Sequence, residues 1–112
     1  MEMTVSQEGG VAIVAIPLES LDASNSKEFK RVMAPLLEQH KKIIFDMSHL
    51  RFVDSSGLVA ILSCLRQLNA VGGDVKLFGM AKLVRVLFEL VRMHRIFDIL
   101  NTKEEALRAF TS

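Results

Sequence analysis

The residues from Val11 to Ile16 are all apolar, and this run constrains the fold more than any other part of the sequence. Successive side chains of a strand point to opposite faces of its sheet, so a strand over this run is apolar on both faces. Such a strand belongs inside a sheet that is covered by helices. The preceding Glu8-Gly9-Gly10 predicts a hairpin with a strand over Met3 to Ser6, because glycine accepts positive φ without steric cost. Pro17 should end the pairing, since proline has no amide proton to donate.

The rest of the chain alternates between short apolar runs and longer amphipathic ones. Further strands are predicted over Lys41–Met47, Asp74–Gly79 and Ile96–Leu100. Helices are predicted after Ser24–Ser26, over Leu58–Val71, over Lys82–Arg92 and from Asn101 or Thr102 to Ala109. The order β-β-α-β-α-β-α-β-α predicts an α/β fold, a mixed sheet of four to five strands with about four α-helices packed on it. We expect one domain, residues 1–112, because a chain of this length supports a single core.

The first predicted helix has a recognisable start and an interruption. Ser24–Ser26 supplies candidate caps, and Glu28 follows Asn25 at the spacing of a capping box. Pro35 falls inside the helical pattern and removes one backbone hydrogen bond, so we expect a kink near Ala34. The residues that recur at helical spacing and should face the core are Phe29, Val32, Met33, Leu36 and Leu37.

The predicted helix over Lys82–Arg92 has one narrow polar stripe, and the rest of its surface is apolar. An apolar surface of this width must be buried. Either the sheet or a second copy of the chain could cover it. A homodimer is therefore one of two possibilities at this helix.

Charge, cysteine content and the N-terminus limit the class of protein. Fourteen basic and thirteen acidic residues leave a net charge of +1, which argues against a direct nucleic-acid partner. The single cysteine, Cys64, cannot form an internal disulfide and fits a reducing cytosol. Residues 1–4 lack the basic start and apolar run of a secretory signal. No apolar run approaches the roughly 20 residues of a membrane-spanning helix, so we expect a cytoplasmic protein without a membrane partner.

The stretch Asp54-Ser55-Ser56-Gly57 lies between a predicted strand and a predicted helix. Such short polar side chains cap helix starts, because their oxygens accept the unpaired amides of the first turn. From these residues alone the stretch is either a simple cap or a functional site. If Ser55 is phosphorylated, the group adds about −1.5 to −2 charges, and the helix start tolerates an anion. The helix face pointing away from the predicted core carries Val59, Ala60, Ser63, Arg66 and Gln67, and a protein could dock there.

The sequence offers little support for catalysis or metal binding. A serine hydrolase needs a base beside its nucleophile, yet the three histidines are scattered and no Gly-x-Ser-x-Gly elbow is present. One cysteine and dispersed histidines lack zinc-ligand spacing, and no phosphate-binding glycine motif occurs. Asp46 ends a predicted strand like the phosphoacceptor of response-regulator receivers, but Ile16-Pro17-Leu18 supplies no acidic pair. Asp46 is therefore interpreted as an ordinary strand-end acid.

Several segments together resemble one known family. The motif Asp54-Ser55-Ser56-Gly57-Leu58 follows Phe52-Val53 and precedes an apolar helix that ends at Gly72-Gly73. Leu21-Asp22 stands before the first helix, and Val86-Leu87-Phe88-Glu89-Leu90 comes late in the chain. With the order of strands, these features resemble the bacterial anti-sigma factor antagonists of the STAS (sulfate transporter and anti-sigma antagonist) domain family. The resemblance covers nearly the whole chain.

The resemblance implies a phosphorylation switch at Ser55. In this family the first serine after the aspartate is phosphorylated by a partner that is both anti-sigma factor and serine kinase, and a serine phosphatase reverses the modification. The unphosphorylated protein binds the kinase and frees the sigma factor. ATP belongs to the kinase, so no cofactor is implied for this chain. The implied partner-binding residues are Asp22, Ala23, Ser24, Asn25, Asp54, Ser56, Gly57, Leu58 and the exposed helix start with Val59, Ala60 and Ser63.

The chain departs from the family pattern at two positions. Glu19 stands where members commonly have a glycine, two residues before Leu21-Asp22, and Val59 replaces a second glycine after Gly57-Leu58. Both positions lie on the implied contact surface, so they bear on which partner is bound. Two other functions remain open: a STAS subunit that binds a transporter ATPase without a phosphorylation cycle, and a small serine hydrolase.

Overall fold

The computed structural model describes residues 1–111 and contains a five-stranded mixed sheet. Its strands are β1 (Thr4–Glu8), β2 (Val11–Ala15), β4 (Lys42–Asp46), β6 (Asp74–Phe78) and β7 (Asp98–Leu100). They are ordered β1-β2-β4-β6-β7. β1 pairs antiparallel with β2, and every other neighbouring pair is parallel. The predicted α/β class and mixed sheet are confirmed.

A second, two-stranded sheet was not predicted. β3 (Ser20–Leu21) pairs in parallel with β5 (Phe52–Val53), with Ser20 opposite Phe52 and Leu21 opposite Val53. No strand was predicted over either segment, because two residues are too few to show the alternation that marks a strand. This small sheet comes directly before the start of the first helix and before the Asp54–Gly57 turn, so it joins the two segments that were predicted to bind a partner.

Within residues 1–111, four α-helices complete the fold. They are α1 (Ser26–Gln39), α2 (Ser55–Asn69), α3 (Lys82–Leu90) and α4 (Lys103–Thr111), and a short 3-10 helix spans Met93–Arg95. Arg92, with φ of 62°, ends the α3 region. α1 continues through Pro35 without interruption. Thr102 caps α4, because its hydroxyl accepts the Glu105 amide at 3.1 Å and the Glu105 carboxylate accepts the Thr102 amide at 3.0 Å.

The capping box predicted for α1 is wrong. Asn25 occupies the N-cap position, but its side chain makes no capping hydrogen bond. Instead its carbonyl oxygen accepts the Asp22 amide at 2.9 Å, and its amide group donates to the Ser20 carbonyl at 2.9 Å. The Glu28 carboxylate accepts a hydrogen bond from the amino group of Met1, also at 2.9 Å. The sequence spacing could not show these competing partners.

The core lies on both faces of the sheet, as the apolar run in β2 predicted. One face packs against α1 and α2 and holds the larger cluster, which includes Val14 and Phe45. The other face lies under α4, where Ile13 and Ile44 contact Ala106 and its neighbours. The two sets of β2 side chains therefore enter two separate apolar clusters, which explains why β2 must be apolar on both faces.

The α4 face also contains a buried charge, in what we call the Lys76 cluster (Lys76, Asp74 and Asp98). Lys76 is only 5% exposed. Its ammonium group donates to Asp98 at 2.6 Å and to Asp74 at 3.1 Å, and it lies 4.7 Å from the centre of the Phe110 ring. Burial lowers the pKa of Lys76, but the hydrogen bonds to Asp98 and Asp74 outweigh it, so the pKa is raised overall. This cluster fastens α4 and β7 to the sheet.

The sheet buries only part of α3. Val84 and Phe88 enter the core, but Leu83, Val86 and Leu90 stay exposed, with Leu90 at 73%. Of the two predicted covers for the apolar surface, the sheet does not reach these residues, and contact with a second copy stays a prediction. In the part of the chain that is described, no helix has both the length and the apolar character needed to cross a membrane.

Candidate functional site

Asp54 fixes the start of α2 and leaves Ser55 free. Asp54 is the N-cap residue, and one of its carboxylate oxygens accepts the Gly57 amide at 3.0 Å. Ser55 is the first residue of the helix and is exposed. Its hydroxyl makes no hydrogen bond to any group of residues 1–111. The cap is thus supplied by the aspartate, and the serine hydroxyl has no structural partner of its own.

The same aspartate brings the two predicted contact segments together. The second carboxylate oxygen of Asp54 accepts the Ala23 amide at 3.0 Å, and the Asp54 amide donates to the Leu21 carbonyl at 3.3 Å. Asp54 therefore connects the β3–α1 loop with the first turn of α2. Two segments that are about thirty residues apart in sequence form one surface around Ser55.

Asp22 organises the loop from within. It accepts hydrogen bonds from the Ser20 hydroxyl at 2.6 Å, from the Ser24 amide at 3.0 Å and from the Ser24 hydroxyl. The Ser20 hydrogen bond, followed by those from Ser24, lowers the pKa of the Asp22 carboxyl group. The Asn25 side chain also bonds within the loop, where it accepts the Asp22 amide and donates to the Ser20 carbonyl. We call Asp22, Asn25 and Asp54 the Asp54 cluster; it holds Ala23 and Ser24 in an exposed position.

Gly57 and Leu58 are buried and do not lie on the surface where the prediction placed them. A Cβ atom on Gly57 would lie 2.1 Å from the Leu21 carbonyl oxygen, well inside van der Waals contact. The glycine is therefore needed for the close approach of α2 to β3. Leu58 is 7% exposed and belongs to the core. Both residues pack beneath the surface that surrounds Ser55.

Ala60 was wrongly placed on the outward face of α2, since it is fully buried. α2 packs against both α1 and the sheet region, so its buried arc is wider than a single apolar stripe predicts. Val59 is 55% exposed, and Ser63 is partly exposed. Of the outward residues near Ser55, Val59 and Ser63 therefore remain available to a partner.

Two lysines beside Ser55 were missed by the sequence analysis. A shallow hollow of about 290 Å³ lies between α1 and α2, and its lining includes Lys27 and Lys30 together with Ser55. The two lysines are three residues apart, so they lie on the same side of α1. This spacing is visible in the sequence, but the packing of α1 beside Ser55 is not. Among residues 1–111, no histidine lines the hollow, so the hollow lacks the histidine of a Ser-His pair.

Other chemically interesting residues have structural explanations. Asp46 accepts the Ser48 amide at 3.0 Å and so stabilises the turn after β4, which agrees with its interpretation as a strand-end acid. Cys64 is buried, and burial raises the pKa of its thiol to about 12, so it is no nucleophile at neutral pH. Within residues 1–111, no group of three or more potential ligands could hold a metal ion.

The whole arrangement matches a known domain. The STAS domain model matches residues 2–106. This chain belongs to the STAS domain family. The match covers both sheets, the Asp54–Gly57 turn and all helices up to the start of α4, so the candidate site lies inside the part that the family shares.

Two relatives carry names that describe a regulatory role. The anti-sigma factor antagonist BtrV of Bordetella bronchiseptica is 25% identical over 111 residues, which cover 98% of this chain and 95% of that protein. The crystal structure of an anti-sigma factor antagonist from Thermotoga maritima is 25% identical, with a TM-score of 0.90, and covers 98% of this chain and 95% of that one.

A more distant neighbour is the Bacillus cell fate determinant SpoIIAA, whose structure is known in the phosphorylated form. It is 21% identical, has a TM-score of 0.71 and covers 97% of this chain and 99% of that one. This likeness shows that the two proteins share a fold.

Proposed function

We propose that this chain is an anti-sigma factor antagonist whose binding to an anti-sigma factor with serine kinase activity is switched off by phosphorylation of Ser55. The observation that carries the proposal is that Ser55 is exposed, its hydroxyl makes no hydrogen bond within residues 1–111, and it lies at the start of a helix capped by Asp54. The names of the relatives BtrV and the Thermotoga maritima protein support the partner class.

The docking surface proposed for the unphosphorylated protein surrounds Ser55. It consists of Asp22, Ala23, Ser24 and Asn25 from the loop, Asp54 and Ser56 from the turn, and Val59 and Ser63 from α2. Asp54 holds the loop and the helix together through Ala23 and Gly57, so the partner meets a surface that is already formed. A preformed surface costs little conformational entropy on binding.

Phosphorylation changes the charge of this surface without disturbing what holds it together. The phosphoryl group adds about −1.5 to −2 charges and three acceptor oxygens. Since the Ser55 hydroxyl makes no hydrogen bond within residues 1–111, we expect the fold to survive the modification. At an interface the same group is bulky, costly to desolvate and repelled by acidic groups. SpoIIAA, which has the same fold, has been solved both unphosphorylated and phosphorylated.

The proposed cycle assigns all catalysis to the partners. The kinase binds ATP and transfers its γ-phosphoryl group to Ser55, and a serine phosphatase hydrolyses the phosphoserine. The chain itself works by binding, in the cytoplasm, where its partners and ATP are found. It needs no cofactor for this role.

The site assignment is tested by incubating the protein with the anti-sigma factor kinase of the same genome and ATP, followed by intact-mass and peptide mass spectrometry. We expect one phosphoryl group on the wild-type protein, none on Ser55→Ala, and one on the neighbouring control Ser56→Ala. A phosphoryl group that persists on Ser55→Ala contradicts the assignment.

A second test separates binding from folding. Ser55→Asp places a negative charge at the site, and we expect weaker binding to the kinase with a melting temperature within a few degrees of wild type, because surface substitutions change stability by about 0.5 kcal/mol or less. Unfolding of Ser55→Asp would instead give Ser55 a structural role.

A further inference from the structure

The hollow beside Ser55 has an uneven distribution of charge. Its lining consists of two basic side chains, three serines and one apolar residue: Lys27, Lys30, Ser26, Ser55, Ser56 and Val59. No acidic residue is among them. Its volume of about 290 Å³ exceeds many times the roughly 30 Å³ that one water occupies in the liquid. The hollow therefore has room for a phosphoryl group on Ser55 together with its nearest waters.

The two lysines of the hollow form no ion pair among residues 1–111. Neither Lys27 nor Lys30 lies within 4 Å of a carboxylate among residues 1–111. Arg31 on the same helix, in contrast, approaches Glu28 at 3.9 Å, and Glu28 is also paired with the amino group of Met1. Lys27 and Lys30 thus add positive charge next to Ser55 that contributes to no ion pair of the unmodified domain.

The carboxylate next to Ser55 in the sequence, that of Asp54, already accepts two hydrogen bonds. The two carboxylate oxygens of Asp54 accept the amides of Gly57 and Ala23. The Gly57 amide is therefore taken and cannot receive a new anion, whereas both ammonium groups keep all their donors. A lysine side chain is long and flexible, with three rotatable N–H donors, so it can follow a phosphoryl group within the hollow.

We propose that Lys27 and Lys30 form an internal phosphate clamp, in which their ammonium groups pair with the oxygens of a phosphoryl group on Ser55 of the same chain. This inference rests on the proposed phosphorylation of Ser55. The clamp holds the phosphoryl group against α1, neutralises part of its charge and fills the hollow from inside. The modified protein is thereby stabilised in the released state, and the contact face loses a hollow that was open before.

The clamp is tested on protein that carries phosphoserine at position 55 through incorporation during translation, so that no kinase is required. The readout is the second pKa of the phosphoserine, followed by phosphorus NMR against pH. In wild-type background we expect this pKa to lie at least about half a pH unit lower than in Lys27→Gln/Lys30→Gln, because nearby positive charge favours the dianion. Circular dichroism of each variant verifies the fold, and the single variant Lys30→Gln should give an intermediate value.

The matched control is Lys41→Gln/Lys42→Gln. It removes two positive charges where β4 begins, at the end of the parallel strands opposite to Ser55. It should leave the phosphoserine pKa within about a tenth of a pH unit of wild type, since exposed charges beyond a Debye length of about 8–10 Å are screened. Equal values in the wild type and Lys27→Gln/Lys30→Gln, or an equal change in the control, would overturn the clamp.

The proposed function is measured separately, by binding of each unphosphorylated protein to the kinase. If wild type binds and is phosphorylated on Ser55 but the phosphoserine pKa does not respond to the lysines, the clamp alone is wrong. If the pKa responds but the kinase neither binds nor modifies wild type, the clamp geometry holds and the proposed switch is wrong.

Discussion

The Asp54 cluster and the Lys76 cluster are both polar networks, but they differ in what they leave unpaired. In the Lys76 cluster the single buried charge is matched by two carboxylates and an aromatic ring. In the Asp54 cluster the carboxylates and the Asn25 side chain are all engaged, yet the Ser55 hydroxyl beside them is not. A network that satisfies all its members fastens elements together. A network that holds a helix start in place and leaves the neighbouring hydroxyl without a hydrogen bond is suited to modification and binding.

The largest expected difference between the clusters is in stability. Lys76→Ala should lower the free energy of unfolding by about 2–3 kcal/mol, mainly because the buried methylene groups each contribute about 0.8 kcal/mol. The ion pairs add little, since the side chains of Asp74 and Asp98 are 44% and 62% exposed. Ser55→Ala should change the same quantity by less than about 0.5 kcal/mol. Urea unfolding checks both values, and equal losses in the two variants would remove the distinction between the clusters.

Asp54 should show an intermediate effect. Asp54→Ala removes both the helix cap and the link to Ala23, and we expect a loss of about 1–2 kcal/mol. Asp54→Asn keeps one carbonyl acceptor for the two amides, so its loss should be roughly half as large. Thermal and urea unfolding of the two variants test this order. An Asn variant as unstable as the Ala variant would mean that charge, rather than the two hydrogen bonds, holds the turn.

The contribution of the Lys76 cluster to stability should also depend on pH in the alkaline range. Because the pKa of Lys76 is raised above its ordinary value of 10.5, the charged form stabilises the folded state. This contribution is fully present below pH 10.5 and is lost as the pH rises through the higher folded-state pKa. As the pH rises above about 10.5, wild type should therefore lose more unfolding free energy than Lys76→Met. Parallel curves for the two proteins would contradict the assignment.

The sequence was sufficient for the features that depend on local pattern. The apolar run in β2 predicted a sheet covered on both faces, and the spacing of Phe29, Met33 and Leu37 predicted the buried face of α1. The motif around Ser55 predicted a polar helix start. These features follow from the periodicity of strands and helices, which needs no knowledge of distant contacts.

The features that were missed depend on contacts between distant segments. Local spacing does not reveal the neighbour that each of these features requires. They are the pairing of β3 with β5, the burial of Ala60 and the hydrogen bond between Glu28 and the amino group of Met1. Lys76 is another example, because a lysine in a strand indicates an exposed position until its acidic partners are known. Lys27 and Lys30 become part of the site only when α1 packs beside α2.

The most direct test of the central claim is the affinity of the kinase partner for the unmodified protein and for protein with phosphoserine at position 55, measured by isothermal titration calorimetry. We predict that the phosphoserine weakens binding by more than about tenfold, or about 1.4 kcal/mol, while circular dichroism shows the same fold. Equal affinities for the two folded proteins would contradict the account.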